Sequence, residues 1–168
     1  GIDALERYGS SVSASRPVSG ERPIHHELER AIAETYEVED AVAFVSGHAT
    51  NVSTLGYLLG PKDLILHDEY IHNSTVVGAQ LSGARRMSFA HNDPAALETL
   101  LTRHRRQFER VVVVIEGLYS MDGDIPDLPR FIAIKQRHQA WLMVDEAHSF
   151  GVMGETGLGL REHFAIDP

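Results

Sequence analysis

Cysteine is absent from this sequence. That excludes a disulfide framework and thiolate chemistry, and it fits a cytoplasmic protein. Basic residues are in deficit, 15 against 24 acidic, for a formal net charge of -9. Neither nucleic acid nor an anionic membrane is therefore an expected partner, since both select for basic patches. No apolar run approaches membrane-spanning length, and the first residues lack the charged and apolar regions of a signal peptide. Internal repeats and low-complexity tracts are missing too. The start at Gly1-Ile2-Asp3, without an initiator methionine, is read as a piece of something longer.

Two motif absences narrow the chemistry. No Gly-Lys pair occurs, so the phosphate-cradling loop G-x-x-x-x-G-K of nucleotide-driven motors is excluded. No G-x-S-x-G elbow occurs, which argues against a serine hydrolase.

What is present is an ordinary globular composition: 43% hydrophobic and 23% charged residues in a chain of 168, long enough for one real core. Apolar runs at residues 41–45, 64–66, 111–115 and 141–144 read as strands, as does the weakly alternating stretch 86–90. Between them, residues 25–36, 49–59, 73–81, 94–106 and 128–138 carry helical patterns. The helix at 73 is expected to be capped by Asn73 or Ser74 and the one at 94 by Asn92 or Asp93. Alternation of strand and helix with short links predicts an α/β fold, a mostly parallel sheet with helices on both faces. Residues 1–24 read as an N-terminal loop segment. Within them the small, polar stretch 9–20 is either a flexible linker or a tight loop that lets the backbone approach a ligand.

The stretch Trp141-Leu-Met-Val-Asp-Glu-Ala-His148 organises the rest. Four apolar residues fit a strand buried on both faces, and the run breaks into Asp145, Glu146 and His148. In open α/β sheets ligands bind beyond the carboxyl ends of the strands. The other strands end alike: Gly47 and His48, then His67, Asp68 and His72, then Ser120. Glycine opening a helix suits phosphate. An aspartate at this edge suits the ring nitrogen of pyridoxal phosphate (PLP), whose protonated pyridine accepts electrons from a substrate carbanion. A metal site built from His67, Asp68, His72, Asp145 and His148 is the weaker alternative, because no H-E-x-x-H or comparable spacing is present.

Several ordered stretches together carry a resemblance to one family. They are Tyr8-Gly9-Ser10, Ser15-Arg16-Pro17-Val18-Ser19-Gly20, Pro23-Ile24-His25, Phe44 through Asn51, Asp68 through Ser74, Tyr119 through Asp124, and Val144 through His148. The chain resembles the α-oxoamine synthases, PLP-dependent enzymes of fold type I, over nearly its whole length. The resemblance implies that residues 25–168 belong to a PLP-binding large domain and that the parent joins an amino acid to an acyl thioester with loss of CO2. It implies a homodimer, with the acyl group on coenzyme A or a carrier protein. It places Asp145 on the pyridine nitrogen, His148 on the phenolic oxygen, His72 on the ring face and Ser120 on the oxygen side. Gly47 and His48 take the phosphate, and no metal is implied. An aromatic Phe or Tyr is commoner in the family at position 48, Gly at 11 and Leu at 17. The lysine that binds PLP covalently is expected beyond Pro168. Lys62 and Lys135, the only lysines, are predicted to face away from the site edge.

Overall fold

Helical periodicity broken by small polar stretches, then alternation of apolar runs with capped helices, dictates two different kinds of packing along this chain. The computed structural model describes residues 1–166, which group into two compact units, Gly1–Ala43 and a second beginning at Phe44.

The first unit contains α1 (Ile2–Tyr8), a π-helical turn at Arg16–Gly20 and α2 (Pro23–Tyr36). Residues 1–24 are therefore not loop throughout. The small-residue stretch is pinned by Arg16, whose guanidinium donates to Glu21 (2.6 Å), to Glu29 (3.1 Å) and to the Ala43 carbonyl (3.2 Å). The Arg16 hydrogen bond holds the Glu29 carboxyl at about 2, and that of Glu21 at about 2 as well. Gly20 is required here, because a Cβ would lie 2.0 Å from the Ala14 carbonyl oxygen. Residues 41–45 do not form the expected strand. Three of their backbone groups meet side chains instead: the Ala41 N–H meets Asp40 (2.8 Å), the Ala43 N–H Glu29 (2.9 Å) and the Ala43 carbonyl Arg16.

The second unit holds α3 (Gly47–Leu58), β1 (Leu64–Asp68), α4 (Asn73–Ser82), β2 (Arg85–Phe89), α5 (Pro94–His104), β3 (Val111–Glu116), α6 (Leu128–Arg137), β4 (Trp141–Asp145) and α7 (Leu160–His163). All strand pairings are parallel, in the order β2-β1-β3-β4. Side chains alternate across β1 and β3 with the period-two geometry of a strand. Leu64, Leu66, Val111, Val113 and Ile115 pack with Leu97 and Leu101 of α5 and Phe131 and Ile134 of α6. Ile65, Val112 and Val114 pack on the opposite face with Leu55 of α3 and Ala79 of α4. Both faces are thus covered, as an α/β sheet of this kind requires.

β4 departs from expectation. Among the described residues it has β3 as its one neighbour in the sheet, and Trp141 is 50% exposed. Among the described residues it is half-buried rather than buried on both faces. Caps differ in detail as well. Asp93 caps α5, accepting from the Ala95 and Ala96 N–H groups, but α4 is capped by His72, whose ring accepts from the Ser74 N–H. No helix among the described residues is long and apolar enough to cross a membrane.

Candidate active site

From β1 the chain passes through α4 to β2 on one side. From β3 it passes through α6, on the other face, to β4 on the other side. The carboxyl ends of β1 and β3 therefore flank a topological switch point, where open α/β sheets leave a crevice. A pocket opens at that point, lined by Gly47, His48, Asn51, His72, Ser74, Glu116, Ser120, Asp145, Ala147 and His148. The six residues that the resemblance assigns to PLP, Gly47, His48, His72, Ser120, Asp145 and His148, line this one pocket.

At one end is the start of α3. Ser46 is its N-cap, with the hydroxyl accepting from the Ala49 N–H (3.1 Å) and the carbonyl from the Thr50 N–H (2.9 Å). The Gly47 and His48 N–H groups have no hydrogen-bond partner among the described residues. Two open amides on the positive end of a 12-residue helix suit an anion.

Asp145, the last residue of β4, supplies the charge at the sheet edge. Its carboxylate accepts from the Asn51 amide (2.7 Å) and from the Ala147 N–H (3.0 Å), so its direction is fixed before any ligand arrives. Glu116, at the end of β3 and directly in register with Asp145, is buried at 3% exposure. It accepts from the His72 N–H (2.7 Å) and from the Ser120 N–H (3.1 Å). One buried carboxylate thus sets the backbone of two pocket residues. Ser74, fully buried on the first turn of α4, lies 2.9 Å from the Asn51 amide and 2.7 Å from His72 Nδ1.

Asn51, Ser74 and Glu116 went unassigned in the sequence. A signal existed: Asn51 follows Gly47 by one helical turn, so both lie on the same face of α3.

His67 and Asp68 do not join the pocket. Burial lowers the His67 pKa, and the ring lies 2.6 Å from the Asp68 carbonyl. The Asp68 carboxylate instead accepts from the Tyr70 and Asn92 N–H groups and pairs with His91 Nδ1 at 2.8 Å. The five-residue metal set considered from sequence is therefore not assembled. Around His91 a separate group forms, with Nε2 at 3.1 Å from Asp122 and 3.4 Å from Asp124. Burial opposes charging this ring, but the Asp68 hydrogen bond and the Asp68, Asp122 and Asp124 charges outweigh it and raise its pKa. Tyr70 stacks on the same ring at 4.4 Å. This group ties the loop after β3 to the ends of β1 and β2.

The donor set fits PLP. Open helix-end amides suit a phosphate, and a preoriented carboxylate suits a protonated pyridine nitrogen. Among the described residues no lysine lines the pocket. Lys62 lies in the turn before β1, at the opposite end of the strand, and pairs with Glu109 at 2.9 Å, while Lys135 is on α6.

Comparison with known proteins agrees with this geometry. The chain is 44% identical over 163 residues to a putative 8-amino-7-oxononanoate synthase of Cyanothece, covering 97% of this chain and 41% of that protein. It is 43% identical over 174 residues to human serine palmitoyltransferase 3, covering 99% of this chain and 32% of that protein. Among solved structures, a serine palmitoyltransferase of S. paucimobilis with bound PLP-myriocin superposes with a TM-score of 0.93. Its sequence identity is 34%, over 98% of this chain and 42% of that one. The 8-amino-7-oxononanoate synthase of Francisella tularensis gives a TM-score of 0.79 at 28% identity, over 98% of this chain and 44% of that one. The chain spans less than half the length of each of these relatives. The profile of the family described as aminotransferase class I and II matches residues 4–165, and the chain belongs to that family.

Proposed function

We propose that the chain forms the cofactor-binding part of a PLP-dependent α-oxoamine synthase. Such an enzyme condenses an amino acid with an acyl thioester, releasing CO2 and the thiol and leaving an α-amino ketone. The observation that carries this reading is the Asp145 carboxylate, fixed by Asn51 and Ala147, in one pocket with the open amides of Gly47 and His48. Residues 25–168 are read as part of the large domain. The similarity to 8-amino-7-oxononanoate synthases and serine palmitoyltransferases supports the reaction class.

Each residue has a task within this reading. Gly47 and His48 hold phosphate through backbone N–H groups. Asp145 accepts the hydrogen bond of the ring nitrogen and keeps that nitrogen protonated. His72 supplies an aromatic face, His148 a donor for the phenolic oxygen, and Ser120 a hydroxyl on the same side. When bound, PLP supplies an electron-withdrawing ring that stabilises negative charge at the amino acid's α-carbon. The chain's contribution is to fix that ring and its charge before substrate binds.

The substrates proposed are an amino acid and an acyl thioester on coenzyme A or a carrier protein. The assembly proposed is a cytoplasmic homodimer, which sedimentation of the full enzyme tests. Asp145→Asn in the full enzyme tests the site. An amide cannot hold the pyridine protonated, so turnover should fall on the order of a hundredfold or more, and near-normal turnover would refute the assignment. A transaminase on the same scaffold is the second reading, compatible with a family described as aminotransferase class I and II. Incubation with an amino acid and a second keto acid separates the two, because a transaminase would move the amino group from the first to the second.

A further inference from the structure

Four pocket residues are wired in series. The Asn51 amide nitrogen lies 2.7 Å from Asp145 Oδ2 and 2.9 Å from Ser74 Oγ. Ser74 Oγ lies 2.7 Å from His72 Nδ1, and the Ser74 backbone N–H reaches the same Nδ1 at 3.3 Å. Donor and acceptor roles follow from the side-chain inventory alone. A carboxylate only accepts, so the Asn51 group facing Asp145 is the NH2, and its second hydrogen is directed to Ser74. The Ser74 oxygen then accepts from Asn51, and its single hydrogen is left for His72. Two donors, the Ser74 O–H and its backbone N–H, converge on Nδ1, which must be the bare nitrogen.

We infer that Asn51 and Ser74 are positioning residues that lock His72 as its Nε2–H tautomer and tie that choice to Asp145. The opposite tautomer fails on two counts. It would set a ring N–H against the Ser74 backbone N–H, and it would leave the Ser74 hydroxyl hydrogen without this partner. Asn51 and Ser74 are 5% and 0% exposed, so water offers neither a ready substitute. The consequence for the proposed reaction, on which this inference builds, is that His72 offers ligands its N–H donor at Nε2. Nδ1 is occupied and takes no part in moving protons. The orientation begins at the residue proposed to hold the ring nitrogen, so the two contacts flanking the cofactor are set together.

The test reads the ring directly, in the cofactor-free chain labelled with 15N-histidine, by long-range proton–nitrogen correlation at mildly alkaline pH. His72 signals are assigned by their loss in His72→Gln. The expected pattern is a single tautomer, with Nδ1 unprotonated and Nε2 protonated. Ser74→Ala should shift both nitrogens toward the averaged positions of a ring sampling both tautomers, and Ser74→Thr should restore the locked pattern. Asn51→Leu should give part of the Ser74→Ala shift. An Nδ1–H or doubly protonated pattern in the parent chain would overturn the inference. So would ring nitrogens that stay unmoved in Ser74→Ala. Should a variant fail to fold, the parent spectrum alone decides the tautomer. Because no cofactor is present, the locked pattern would stand even if PLP failed to bind, an outcome that would count against the functional reading alone.

Discussion

Gly78 in α4 sets how closely that helix approaches α3, and with it where Asn51 sits. A Cβ at position 78 would lie 2.8 Å from the Asn51 carbonyl oxygen, 3.0 Å from Val52 Cα and 3.1 Å from Leu55 Cβ. Two opposed effects decide the outcome of Gly78→Ala. Alanine favours an exposed helix interior by about 1 kcal/mol over glycine. Overpacking a tight contact costs about 1–3 kcal/mol. Two of the three atoms met are backbone, so no side chain can swing aside and the helices must separate. Overpacking therefore wins, for a net destabilisation between roughly zero and 2 kcal/mol, centred near 1. At this chain length each kcal/mol lowers the Tm by about 2–4 °C. Thermal and urea unfolding measure the change. A variant about 1 kcal/mol more stable, as at an unobstructed helix position, would refute the close packing.

Other substitutions probe the carboxylates and the His91 group. Glu116→Gln replaces one of two accepting oxygens with an NH2 facing a backbone N–H, so it should cost about 1–3 kcal/mol. Amide exchange should rise at His72 or Ser120, and unchanged protection at both would refute the bridging role. For His91 the folded pKa is raised, so its stabilisation is fully present below the ordinary imidazole value and fades as pH rises through the raised one. The stability gap between the parent chain and His91→Gln should therefore narrow from neutral to alkaline pH, and a widening gap in urea titrations would contradict the sign. Borohydride treatment in the presence of PLP should leave Lys62 and Lys135 without stoichiometric label, which peptide mapping reads.

The parallel sheet was legible because residues 111–115 carry five consecutive β-branched residues that only a doubly covered strand buries. Gly47, His72, Ser120 and Asp145, which line one pocket, stood out because each lies a short way past an apolar run. Residues 41–45 misled because an apolar run carries no record of whether its N–H groups meet a strand or, as here, the Glu29 and Asp40 carboxylates. Trp141 misled because its exposure depends on which strands flank β4, and among the described residues β3 alone does so, which local pattern does not record. Glu116 was overlooked as the polar end of an apolar strand. Its partners, the backbone N–H groups of His72 and Ser120, leave no trace in residue types. Asn51 and Ser74 act through contacts 23 positions apart, and His72 caps α4 with its ring, a role more usual for Ser, Thr, Asp or Asn.

The central claim is that the pocket between the start of α3 and the end of β4 takes PLP. Proton–nitrogen shift mapping of the labelled chain during titration with PLP, and in parallel with pyridoxal lacking the phosphate, tests it most directly. Saturable shifts are expected at Gly47, His48, His72, Ser120, Asp145 and His148. Those at Gly47 and His48 should be lost with pyridoxal, and the whole set weakened in Asp145→Asn. Shifts clustered elsewhere, or a response indifferent to both the phosphate and Asp145, would contradict it.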